Sequence, residues 1–171
     1  MGRFQPFHLG HMALVRRILD ECDGAILAVA SSQFNYIRKD PFTAGERIEM
    51  IHESIAESDL DASRCIITAI ENQFNVATWL SYLEASLPEF DRVYSGNEYV
   101  RMLLADSRYG VIPPQFLERS VYNSTRIRNL IASGGSWEGH VPPAVARIIL
   151  RIGGIERIKI IDGTETNPTE H

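Results

Sequence analysis

Two imidazoles three residues apart stand near the start of the chain, within Gly2-Arg3-Phe4-Gln5-Pro6-Phe7-His8-Leu9-Gly10-His11. Gly2 permits a tight turn with close backbone approach, and Pro6 stiffens the loop that follows. A helical pattern begins at Leu9, so His8 and His11 share one face at a helix N-terminus. Free N–H groups and partial positive charge suit such a terminus to phosphate, and two imidazoles there add donors toward a phosphoryl oxygen. The competing reading of a His pair at this spacing is two surface residues or part of a metal site. No third Cys, His or carboxylate stands nearby in sequence, which makes metal ligation the weaker reading.

A second candidate follows Asn123: Ser124-Thr125-Arg126-Ile127-Arg128. Asn123 and Ser124 are good N-cap residues, so another helix starts here. A hydroxyl pair with an arginine about one turn later makes a second phosphate cradle. In isolation this signal is weak, because capped helices carrying arginines are common.

Positioning these groups falls to alternating strands and helices. Ala25 to Ala30 and Cys65 to Ile70 read as buried strands, with weaker ones at Arg92 to Ser95 and Tyr109 to Ile112. Helical spacing marks Leu9 to Glu21, with Met12, Val15, Ile18 and Leu19 on one stripe. It also marks Thr43 to Glu57, opened by a Thr43/Glu46 capping box, and Val76 to Leu87, Glu98 to Leu104, Thr125 to Ala132 and Ala144 to Arg151. The pattern predicts an α/β fold, a mostly parallel sheet covered on both faces, with ligands at the carboxyl ends of the strands. Both candidate segments fall in strand-to-helix loops.

Together the two segments carry a resemblance. GRFQPFHLGH resembles the HxGH signature of the nucleotidylyltransferase superfamily, and STRIR resembles its second, STxxR-like signature. Asp40-Pro41-Phe42-Thr43-Ala44-Gly45-Glu46-Arg47, Asp91-Arg92-Val93-Tyr94-Ser95-Gly96-Asn97 and Gly154-Ile155-Glu156-Arg157-Ile158 narrow it. They are similar to the archaeal-type nicotinamide-nucleotide adenylyltransferases, which make NAD from ATP and nicotinamide mononucleotide. The likeness runs from Gly2 to about Ile158.

The resemblance implies a Rossmann-like, doubly wound parallel sheet and a set of roles. His8, His11, Arg3 and Arg128 would be catalytic, contacting the ATP phosphates and the leaving pyrophosphate. Gly2, Phe4, Gly96, Asn97, Ser124 and Thr125 would complete the ATP side. Asn75 and Trp79 would take the mononucleotide, Trp79 by stacking on its ring, with a basic residue before Asp-Pro-Phe; Arg38 and Lys39 both stand there. Read without the resemblance, a tryptophan in that helix is more often core, and Tyr82 and Leu83 are better core candidates. Mg2+ would arrive on the ATP phosphates, with no dedicated metal site. The family further implies a homo-oligomer, a hexamer. Because the two phosphate segments are shared across the superfamily, a sibling enzyme acting on phosphopantetheine or flavin mononucleotide stays open, as does a non-catalytic NAD-sensing module.

Composition sets the outer bounds. The chain has 171 residues, 44% hydrophobic and 23% charged, which is one ordinary domain. Its net charge of −5 argues against a non-specific nucleic-acid or anionic-membrane partner. With no long apolar run and no signal peptide, a reduced, cytoplasmic protein is expected, with Cys22 and Cys65 as inert fillers. The domain is expected over residues 1–161 and a frayed tail over 162–171. In the family an apolar strand precedes the GRFQPFH loop; here only Met1 does. That predicts a truncated first strand, a gap in the sheet, and a native start several residues upstream.

Overall fold

The strand–helix alternation is realised in the computed structural model, which describes residues 1–113 and 122–164. In chain order the elements are α1 (Leu9–Glu21), β1 (Ala25–Val29), α2 (Ala44–Ala56), β2 (Cys65–Ala69), α3 (Trp79–Ser86) and β3 (Arg92–Tyr94). Then come α4 (Glu98–Leu103), β4 (Gly110–Ile112), α5 (Ser124–Ser133), α6 (Pro143–Arg151) and α7 (Gly154–Gly163). Local chemistry sets many of the boundaries. Thr43 and Glu46 form the reciprocal capping box of α2, Asn123 caps α5, and Gly134 ends α5 in the left-handed region (φ 72°).

Both pairs of described strands are parallel, as the alternation requires. β1 lies beside β2 from Ala25↔Cys65 to Val29↔Ala69, and β3 beside β4 from Arg92↔Gly110 to Tyr94↔Ile112. The sheet has the expected gap and is divided into these two pairs, because no described strand bonds both β1 and β3. Gly2 alone continues the ladder across β1: its N–H donates to Ala28 O (3.1 Å) and its carbonyl accepts from Ala30 (2.9 Å). Between β1 and β3 runs a cleft of about 740 Å³ lined by Met1, Ile18, Leu27, Phe90 and Val93.

The main core joins β1 to α1, α2, α5, α6 and α7 through Phe7, Phe42, Met50, Ile51, Ile131 and Ile149. Smaller clusters serve the other strands: Val93, Val100, Leu104 and Tyr109 around β3 and β4, and Ala28, Ile70 and Leu83 beneath α3. Two helical boundaries differ from expectation. Residues Val76–Thr78 form a 3-10 turn, so α3 starts only at Trp79. The Gly154-Ile155-Glu156-Arg157-Ile158 segment opens an additional helix, α7, whose apolar stripe is too weak to announce it. It extends through Asp162, which the tail was expected to include; residues 165–171 lie outside the described ones.

α7 is tied to the first turn of α2, and to the loop before it, by Arg157, whose ion pair is largely shielded from solvent. Arg157 donates to both oxygens of Glu46 (2.7 and 2.9 Å) and to Pro41 O (3.2 Å), and lies 4.6 Å over the Tyr36 ring. Burial pushes the Glu46 carboxyl up, but Arg157 and the Thr43 hydrogen bonds together outweigh it and hold the group below its ordinary range. Removing one partner strands the other charge. Arg157→Ala is expected to destabilise the fold by about 3 kcal/mol in urea unfolding, with Arg157→Ala/Glu46→Gln costing less than the two single changes summed.

Candidate active site

The two imidazoles cap α1 by holding each other's backbone. His11 N–H donates to His8 Nδ1 (3.3 Å), and His8 N–H donates to His11 Nδ1 (3.2 Å). A ring nitrogen that accepts carries no proton, so both neutral rings keep theirs on Nε2. The rings stack at 3.5 Å between centroids, with Phe7 stacked on His11 at 5.4 Å and Phe4 edge-on to it at 4.8 Å. Burial pushes His8 down to about 4. Burial first, and then His8 and the α-amino group, push His11 well below its ordinary value. The pair thus presents two fixed N–H donors without positive charge. Gly10 is required by close approach: a Cβ there would lie 2.9 Å from Tyr122 Cβ and 3.2 Å from His8 Nδ1.

The loop before the histidines turns its carbonyls toward other segments. Gln5 O accepts from Arg128 Nη1 (2.8 Å), and Pro6 O accepts from Ser124 Oγ (3.1 Å). The start of α5 is thereby docked on the GRFQPFH loop. Arg128 also reaches Thr125 Oγ1 (3.3 Å), and burial, with Arg3 nearby, lowers its guanidinium to about 10. The Gln5 side chain, 1% exposed, pairs with both backbone groups of Phe42 and so fixes the Asp-Pro-Phe loop. Asp40 is buried there, 3.8 Å from Arg3.

A cleft of about 260 Å³ gathers Arg3, Arg38, Lys39, Thr125, Arg128 and Asp162. Arg38 and Lys39 therefore stand with the other cations, not with Asn75 and Trp79. Asp162 balances Arg38 at the rim (2.7 Å). Gly96, with Phe4 and His11, lines the larger cleft. Asn97 caps α4 by accepting from Tyr99 N–H (2.9 Å), and Asn75 caps the 3-10 turn by accepting from Ala77 N–H (3.1 Å). Trp79 is half-buried against the two smaller clusters, sharing the core role with Leu83. Sequence reasoning missed Gln5, Asp40 and Tyr122; for the first two the signal was a polar residue inside an otherwise apolar or cationic loop. Among the described residues no three His, Cys, Asp or Glu side chains gather as a metal cage.

This arrangement of fold and phosphate-directed donors defines a nucleotidyl-transfer protein, and the chain belongs to the cytidylyltransferase-like family, whose sequence model matches residues 1–130. Its full-length relatives narrow the class. It is 45% identical over 169 residues to the nicotinamide-nucleotide adenylyltransferase of Caldivirga maquilingensis, covering 98% of this chain and 95% of that one. With the enzyme of the same name from Picrophilus torridus it shares 42% over 159 residues, 93% of each chain. Among solved structures it resembles a bifunctional NMN adenylyltransferase/ADP ribose pyrophosphatase from Francisella tularensis, complexed with AMP and manganese. The TM-score is 0.79 at 17% identity, covering 94% of this chain and 49% of that one. The chain spans about half the length of that neighbour, and the likeness supports the fold.

Because both rings are neutral when folded, acid favours the unfolded chain, whose histidines protonate at their ordinary value of 6.5. Stability is expected to be full above pH 6.5 and to fall as pH drops toward 4. Urea unfolding at pH 7, 6 and 5 checks this, and His8→Asn, which keeps a capping acceptor, should flatten the slope.

Proposed function

We propose that the chain transfers AMP from ATP to nicotinamide mononucleotide, giving NAD and pyrophosphate. The observation that carries this is the docking of α5 on the histidine loop, which sets Arg128 and Thr125 beside Arg3 around one cationic cleft. A 5′-phosphate oxygen of the mononucleotide bonds to the α-phosphorus of ATP as the bond from that phosphorus to the bridging oxygen breaks. The attacking phosphate is already anionic, so no base is needed, and catalysis reduces to alignment and neutralising charge.

His8 and His11 would donate from Nε2 to oxygens of the transferring phosphate. Arg3 and Arg128, with Arg38 and Lys39 at the rim, would hold the triphosphate and the leaving pyrophosphate. Gly2, Phe4, Ser124 and Thr125 shape that side, and Gly96 and Asn97 fit the adenylate. Asn75 and the exposed part of Trp79 fit the acceptor ring. The donor set is cationic and imidazole-rich, which fits a Mg2+ ion carried by phosphate oxygens and water. When bound, the ion supplies further charge neutralisation on the triphosphate.

Incubation with ATP, nicotinamide mononucleotide and Mg2+ should yield NAD and pyrophosphate in equal amounts. His11→Ala should lower kcat by about 100-fold or more, the scale for loss of one transition-state donor. Folded wild-type protein that makes no NAD would overturn the reading. We also propose a cytoplasmic homohexamer. Leu150 and Ile160, 58% and 59% exposed on α6 and α7, offer apolar surface for assembly. Light scattering is expected to return a hexameric mass, and a monomeric mass would refute it.

A further inference from the structure

Arg47, on α2, is the largest fully buried side chain among the described residues, with no exposed surface. Its guanidinium does not end on a carboxylate. Nη1 donates to Arg3 O (2.8 Å) and Ala30 O (2.7 Å), Nη2 to Ser31 O (3.1 Å), and Nε to Thr43 O (3.2 Å). Four carbonyls from three loops converge on one planar fork, and the charge is countered only at a distance, by Asp40 and Glu46. A buried cation is a costly way to fill space, so the feature needs a reason in geometry.

The loops so joined belong to different halves of the proposed site. Arg3 is on the phosphate side. Ser31, held in the left-handed region at φ 57°, leads to the acceptor side. Its hydroxyl donates to Asn72 Oδ1 (3.1 Å), while Gln33 pairs with both backbone groups of Asn72 (3.0 and 3.2 Å). Asn72 begins the segment that carries Asn75 and Trp79. A continuous run of hydrogen bonds therefore links Arg3, through Arg47 and Ser31, to the acceptor loop.

We infer that Arg47 is a positioning residue that sets the phosphate-binding and acceptor-binding loops at one fixed spacing. The inference rests on the proposed transfer to a mononucleotide for what the two loops hold. In-line displacement needs the attacking oxygen and the α-phosphorus in register, and a small shift of one loop against the other removes that alignment. A lysine keeps the charge but cannot reach four carbonyls in a plane.

The test pairs Arg47→Lys with the gentler Gln33→Ala, each confirmed folded by circular dichroism at the assay temperature. Arg47→Lys is expected to lower kcat at least about tenfold, beyond any unfolded fraction, and Gln33→Ala to raise the mononucleotide KM about fivefold with the ATP KM unchanged. Wild-type kcat in folded Arg47→Lys, or an unmoved mononucleotide KM in Gln33→Ala, overturns the inference. Should Arg47→Lys fail to fold, Gln33→Ala decides. Hydrogen exchange of residues 72–79 reads the same coupling without turnover: it should quicken in both variants, and unchanged exchange refutes the coupling. Wild-type protein that makes no NAD would instead refute the proposed reaction, leaving the exchange result to judge Arg47.

Discussion

A loop of consecutive, irregular residues cannot bury its carbonyls without finding donors for them, and that requirement organises the site. The carbonyls of Arg3, Gln5 and Pro6 accept from Arg47, Arg128 and Ser124, three side chains distant in sequence. Two of these donors are guanidiniums, which have more N–H groups than one carbonyl can use. Satisfying the loop therefore draws positive charge into it. The same bonds that make the loop rigid make it a place for a polyanion.

Charge is distributed around this loop with some restraint. Arg3, Arg47 and Arg128 surround the buried Asp40, so the cations are not left wholly to repel one another. The histidines add hydrogen-bond donors and no charge, since each ring's Nδ1 is occupied by the other's backbone N–H. A phosphoryl group arriving there meets preorganised dipoles together with fixed cations, which is the electrostatic arrangement that transfer of a charged group favours. The aromatic packing of Phe4 and Phe7 against His11 holds those dipoles in a low-dielectric surround.

Farther out, α7 serves the site without touching the histidines. Its Arg157 grips Glu46, the same residue that closes the capping box of α2, while its Asp162 faces Arg38 across the cationic cleft. The helix thus supports the loop of residues 36–43 from behind and closes one wall of the cleft. The cleft between β1 and β3 borders the histidine loop, with Phe4, His11 and Gly96 in its lining.

Much of this was legible along the chain because it depends on local rules. Strand–helix alternation, the Thr43/Glu46 box, the caps at Asn123 and the two phosphate-directed segments all follow from residues within a few positions of one another. The parallel pairing followed from that alternation as well. Other features needed the third dimension. Trp79 packs partly into the core because two separate clusters reach it, and Arg38 and Lys39 join Arg3 and Arg128 only because α7 and α5 close on their loop. Arg47 was silent in sequence, and Gln5 and Asp40 showed only as polar residues within their loops, since a buried polar group is recognised by its distant partners. The sequence by itself determined which residues could bind phosphate and which elements would carry them; the tertiary structure decided which loop carbonyls those residues must also satisfy, and hence where their remaining donors point.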